Sequence, residues 1–173
     1  MNKYILTTNT KQIGETTLYQ IQALKDISFV KAGELGGWIE KQSNLSQEGE
    51  CWVFGDAQVL ENAKVYGDAS ISGTAKVFSD ARVYGNASIS GTVKVFDKAE
   101  VSGYSCVYSE ARVFGKARVS DYARVSDYTR VSGEAEVSGY SCVYNSAKVF
   151  GGAWKNYNIF TDDSGLQNHY IKQ

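Results

Sequence analysis

From Val53 to Val149, every sixth residue is Val or Ile, and the residue two places before it is small. Counted from Gly49, the chain divides into 18 hexads that run to Asn156 without an insertion. The fifth position is Val or Ile in 17 of them and Lys155 in the last. The third is Ala in 13, and otherwise Cys51, Val93, Ser105, Thr129 or Ser141. The first is Gly in 11, and elsewhere Glu, Ser, Asp or Asn. Small-x-Val is a short strand with positions three and five on one face. Val and Ile suit a pleated, half-buried surface, and the Gly, Asp, Asn, Ser and Thr that follow turn the chain.

A hexad of strand plus turn cannot bury its own apolar face, so it must be one side of a coil. Residues 67–78, GDASISGTAKVF, return at 85–96 as GNASISGTVKVF, ten of twelve identical at a shift of eighteen. GYSCVY at 103–108 recurs unchanged at 139–144, two such periods away. Three hexads therefore make one coil. The pattern predicts an all-β, single-stranded β-helix, a triangular prism of 18 residues per coil and about six coils. Each coil sits about 4.8 Å above the last. The expected division is an N-terminal cap over 1–48, the β-helix over 49–156 and a C-terminal cap and tail over 157–173.

A solenoid has two open edges that need covers. Lys3–Thr8 and Thr16–Leu24 read as a hairpin around the turn-rich TNTKQIGE, followed by a lead-in loop. Trp38 and Ile39 are expected to plug the first coil. Trp154, Tyr157, Ile159 and Phe160 are expected to seal the last. DDSG at 162–165 reads as a turn, and 167–173 as a tail either loose or packed back.

The rolling V-x-G-x-A-x pattern resembles the hexapeptide repeat of left-handed β-helix proteins. The preceding KAGELGGWIEKQSNLSQEGECWVFGDA, residues 31–57, resembles the corresponding segment of the YdcK-like hexapeptide-repeat proteins of bacteria and phages. Those proteins also run from a GGW stretch through an NLSQ-like stretch into the helix. The resemblance implies left-handedness and an N-terminal β cap. It brings no catalytic residues with it.

Composition narrows the chemistry. The formal net charge is −1, so any polyanion-binding function must rest on a local patch. Three cysteines without metal spacing suit a reducing cytoplasm, in a bacterial cell or a phage-infected host. No run approaches a membrane span, and residues 1–20 hold no apolar h-region, so neither a membrane anchor nor a secretory signal is expected. Hexapeptide-repeat acyltransferases use a catalytic His near a subunit interface. Here the single histidine, His169, lies beyond the coils and reads as a tail residue. No catalytic residue, metal site or cofactor is expected. Cys106 and Cys142 point outward on one face with Arg124 between them. At two coils apart, roughly 9.6 Å, they are too distant for a disulfide. A Thr-x-Thr ice-binding array is approached only by SIS at 70–72 and 88–90.

The outward positions carry the candidate site. Position four of one face reads Gln58, Lys76, Lys94, Arg112, Arg130, Lys148: five cations in consecutive coils. Like charges directly opposite one another across strands destabilise. The ladder therefore serves an anionic partner, splays its long side chains into water, or is offset by acids such as Asp80, Glu100, Glu110 and Glu136. Beside it, position six gives an aromatic stripe of Phe78, Phe96, Phe114 and Phe150, a candidate interface. Tyr104, Tyr122 and Tyr140 form a shorter ladder elsewhere. The expected function is a non-catalytic interaction module with a protein partner or a homo-oligomer, dimer or trimer. Nucleic acid or another polyanion is the alternative occupant of the basic ladder. A phage-encoded accessory factor or inhibitor of a host system is its specific version. The competing classes are a hexapeptide-repeat acyltransferase or degenerate relative, and a self-assembling structural protein.

Overall fold

A computed structural model describes residues 2–161 and 168–173. Two- and three-residue strands repeat along the hexads and stack into three parallel sheets, the β-helix expected from the repeat, with the left-handedness that the resemblance implies. Face I carries Gln58, Lys76, Lys94, Arg112, Arg130 and Lys148. Face II carries Trp52, Ser70, Ser88, Cys106, Arg124 and Cys142. Face III carries Lys64, Arg82, Glu100, Arg118 and Glu136. Register partners within these rows are eighteen residues apart, as in Lys94↔Arg112.

The hexad grammar has a direct geometric basis. Positions three and five fill the interior: Val53 through Val149 and the alanines beside them are buried. Among the third-position hydroxyls, Ser105 and Ser141 donate to the carbonyls of Ser102 and Ser138, each at 2.7 Å. Position one is the corner. All eighteen corner residues, Gly and non-Gly alike, have φ between +56° and +84°. That region penalises a Cβ, which explains the glycines and the preference for Asp, Asn and Ser where glycine is missing. Several corner carboxylates also repair the ladder. Asp97, Asp121 and Asp127 accept the corner N–H of the next coil, from Gly115, Gly139 and Asn145, at 2.9–3.0 Å.

The solenoid begins before the hexads become legible. Strand β3 (Leu35–Ile39) lies parallel to the first strand of face I, with Ile39 opposite Val59, and Leu45 bridges to Val65. Residues 35–48 therefore form a further turn, about seven in all. The offset there is twenty residues where later coils have eighteen, which hides it from a hexad count. Gly36 and Gly37 make the close approach possible. A Cβ at Gly36 would sit 2.7 Å from the Val53 carbonyl oxygen, and one at Gly37 2.6 Å from Val53 Cγ1.

The N-terminal hairpin is longer than its turn-rich middle suggests. β1 (Tyr4–Ile13) pairs with β2 (Thr16–Ala23) through TNTKQI to a turn at Gly14–Glu15. Both strands extend face I, with β2 against β3. Ile39 enters the core as expected, but Trp38 does not plug it. Trp38 faces outward with the Lys11 ammonium 5.5 Å from its ring centroid. Trp52, at an outward fourth position of face II, is buried all the same, with Tyr4 edge-on at 6.2 Å. Lys3 is wholly buried here. Its ammonium donates to the Cys51 carbonyl at 2.8 Å and lies 3.1 Å from Cys51 Sγ.

At the far end the count slips. Val137 pairs with Trp154 and Val143 with Ile159, offsets of seventeen and sixteen. Trp154, not the fifth-position Lys155, takes the Val place on face III and packs on the core. The shortening occurs at Gly151–Gly152, both in the left-handed region, and the Trp154 indole N–H donates to the Gly151 carbonyl. Residues 168–172 pack back, pairing antiparallel with Tyr157–Thr161. His169 stacks on Phe160 at 5.3 Å. The expected DDSG turn lies outside the described residues.

Candidate functional site

The repeat places the five ladder cations one above another. Lys76, Lys94, Arg112, Arg130 and Lys148 are consecutive register partners, spanning four strand spacings or about 19 Å. Among the described residues none of the five has a carboxylate within ion-pair distance. The acids expected to offset them do not reach them. Glu100 and Glu136 lie on face III, where charges alternate from Arg82 to Glu136. Arg82 reaches Glu100 at 3.8 Å, Arg118 reaches Glu100 at 3.9 Å, and Arg118 reaches Glu136 at 3.2 Å. One face of the prism is thus an ion-pair ladder, and another is cationic from Lys76 to Lys148.

The aromatic stripe lies on the same face. Phe78, Phe96 and Phe114 stack at centroid distances of 5.0 Å with nearly parallel planes. Stacking occupies the interior ring faces, so the column presents ring edges outward. Ring edges carry the positive end of the aromatic quadrupole, which adds to the cationic character beside them. Ser132 interrupts the column. Phe150, past the gap, is 82% exposed and leans over Gly133. The tyrosine ladder forms as expected, Tyr104–Tyr122–Tyr140, stacked at 5.3 and 5.1 Å. Cys106, Arg124 and Cys142 follow one another in register on face II, with both thiols free.

Tertiary structure adds two residues that the row of cations does not advertise. The hairpin brings Ile13, at the end of β1, to the N-terminal end of the ladder. There Ile13, Gln58, Leu60, Glu61, Lys76, Phe78 and Lys94 line a shallow cleft of 290 Å³. Gln58 heads the ladder row and is only 5% exposed, yet its buried Oε1 has no hydrogen-bond partner among the described residues. In sequence Gln58 reads as the first, uncharged member of the row. Ile13 lies forty-five residues upstream and no spacing connects the two. At the other end of the ladder, Asn168 closes the last strand. Its side-chain amide accepts from the Lys148 N–H and donates to the Lys148 carbonyl.

No protein-family model matches the chain. Among curated proteins it is similar to YdcK of Escherichia coli (strain K12), described as an uncharacterized acetyltransferase, with 40% identity over 57 residues. The match takes in 29% of this chain and 18% of the relative, so the chain spans under a fifth of that protein's length. Among the described residues no helix is long and apolar enough to cross a membrane. Repeat and architecture together make this chain a hexapeptide-repeat β-solenoid that is similar to YdcK over 57 residues.

Proposed function

We propose that the protein is an interaction module that binds an anionic macromolecular partner along face I. The observation that carries this reading is the ladder, which has no ion pair among the described residues. Five stacked cations cost the fold repulsion, while face III accommodates opposite charges in the same repeat at no loss of register. The adjoining Phe edges supply apolar area beside the charge. The flat, rigid sheet presents both without ordering a loop on binding.

The test compares tagged wild-type protein with a variant carrying Lys76→Glu, Lys94→Glu, Arg112→Glu, Arg130→Glu and Lys148→Glu. Both are checked for folding by circular dichroism. A partner retained from bacterial lysate by the wild type, released by salt and absent from the variant's eluate is the expected result. Equal capture by both overturns the ladder reading.

A second reading rests on the printed description of YdcK as an acetyltransferase. On it, this chain or an assembly of it would transfer acyl groups from a thioester donor. Incubation with acetyl-CoA separates the two: a raised melting temperature favours the enzyme, and an unchanged one favours the module.

A further inference from the structure

We infer that the cleft at the N-terminal end of the ladder receives an apolar side chain and the adjoining main-chain amide of an acidic peptide segment, whose carboxylates continue down Lys76–Lys148. This rests on the ladder reading above and specifies its partner.

The first support is the state of Gln58. Buried polar groups are bonded as a rule, and leaving one without a partner costs about 1–3 kcal/mol. Other carboxamides in this protein obey that rule by pairing with main chain. Gln47 accepts from the Lys3 N–H and donates to the Tyr4 carbonyl. Asn44 accepts from the Lys41 N–H and donates to the Ala63 carbonyl. Asn168 brackets the main chain of Lys148. The Gln58 Oε1 has no such partner among the described residues; the atom itself is closed to solvent, in a residue that lines the cleft. A carboxamide offers an acceptor and a donor side by side. An extended residue offers the complementary N–H and C=O on one side, and the Asn168–Lys148 contact is that pairing within this molecule.

The second support is the lining. Ile13, Leu60 and Phe78 give apolar walls of a size to hold one Leu- or Phe-sized side chain, and Lys76 and Lys94 stand at the exit. The walls come from three separate places: the hairpin, a corner of the first full coil and the Phe column. A chain leaving the cleft along the ladder meets cations about every 4.8 Å.

The third support distinguishes a peptide from nucleic acid. Single-stranded nucleic acid is held by bases stacking on aromatic faces. The interior faces of the Phe column are occupied by its own rings.

The test uses fluorescein-labelled probes and anisotropy at low salt. The probes are a ten-residue oligoglutamate, the same peptide with leucine at its first or its last residue, and a ten-nucleotide oligo-dT. The expected result is that one leucine peptide binds about tenfold more tightly than oligoglutamate. Gln58→Leu and, separately, Ile13→Ser reduce that advantage to under twofold. The five-cation reversal abolishes all peptide binding. If oligoglutamate binds the wild type but leucine adds nothing, or neither single variant alters the gain, the cleft inference is overturned and the ladder reading stands. If oligoglutamate does not bind at all, the ladder reading falls and takes the cleft with it. Tighter binding of oligo-dT than of every peptide overturns the peptide assignment in favour of nucleic acid.

Discussion

Arg112 and Arg130 are direct register partners on adjacent coils of face I, and no carboxylate among the described residues lies within ion-pair distance of either. Glu100 on face III occupies the equivalent place between Arg82 and Arg118 and is paired on both sides. The contrast sets stability against binding at one position. Arg112→Glu would stand between Lys94 and Arg130 as Glu100 stands between its arginines. It is expected to raise stability by about 0.2–1 kcal/mol in urea melts at low salt, with the gain shrinking as salt is added. Partner capture should weaken in the same variant. A variant that is both less stable and fully active would show that the ladder is neither strained nor used.

The interior admits no comparable latitude. Val113 is fully buried between Val95 and Val131. Val113→Asp places a carboxylate where nothing can pair with it, at a cost of several kcal/mol, and the middle coils should unfold. Ala117→Leu should overpack the same coil by about 1–3 kcal/mol. Far-ultraviolet circular dichroism during thermal melting reads both. A wild-type melt for either would mean that these side chains do not point inward.

Gly36 and Gly37 should be intolerant of alanine. At Gly36 the added methyl would meet the Val53 carbonyl oxygen and the Trp52 ring at 2.7 and 2.8 Å. Backbone atoms cannot yield as a flexible side chain would, so β3 must lift from the coil. A loss of about 1–3 kcal/mol is expected, with a red shift of tryptophan emission as Trp52 gains water.

Thiol chemistry checks the first coil. Cys106 and Cys142 are half-buried on face II, whereas Cys51 is buried beneath Lys3. Native protein should react with Ellman's reagent at two thiols and release the third only on unfolding. Burial pushes the Cys51 thiol above its ordinary 9.0, and the Lys3 ammonium only partly opposes this. The folded state therefore keeps this proton longer than the unfolded chain does. Its contribution to stability is intact below about pH 9 and is lost as pH rises through the raised value. Cys51→Ser should flatten the alkaline limb of a stability–pH curve. An unchanged limb would remove Cys51 as its cause.

Most of the prism was legible in the chain because each hexad is a local rule. A corner that needs φ > 0 favours glycine and admits other residues sparingly, as at Glu61 and Asp97. A Val two places after a small residue marks the inside. Stacking follows from the repeat, so the ladder, the Phe column and the tyrosine column were all visible as rows. The ends were not, because there the period changes. Ile39 and Leu45 precede their partners by twenty residues, and Trp154 precedes the expected fifth position by one.

The sequence by itself determined the inside, the corners and which outward side chains share a face, since all three depend on spacing along one chain. Only the tertiary structure decided which charges are neutralised and what stands over the ladder's end. Arg82 finds Glu100, while Lys94 finds no acid among the described residues, and that depends on where long side chains reach between coils. The meeting of Ile13 with Gln58 depends on a hairpin folding across forty-five residues to extend face I. Periodicity specifies neighbours one coil apart; it cannot specify contacts made by a cap that lies outside the period.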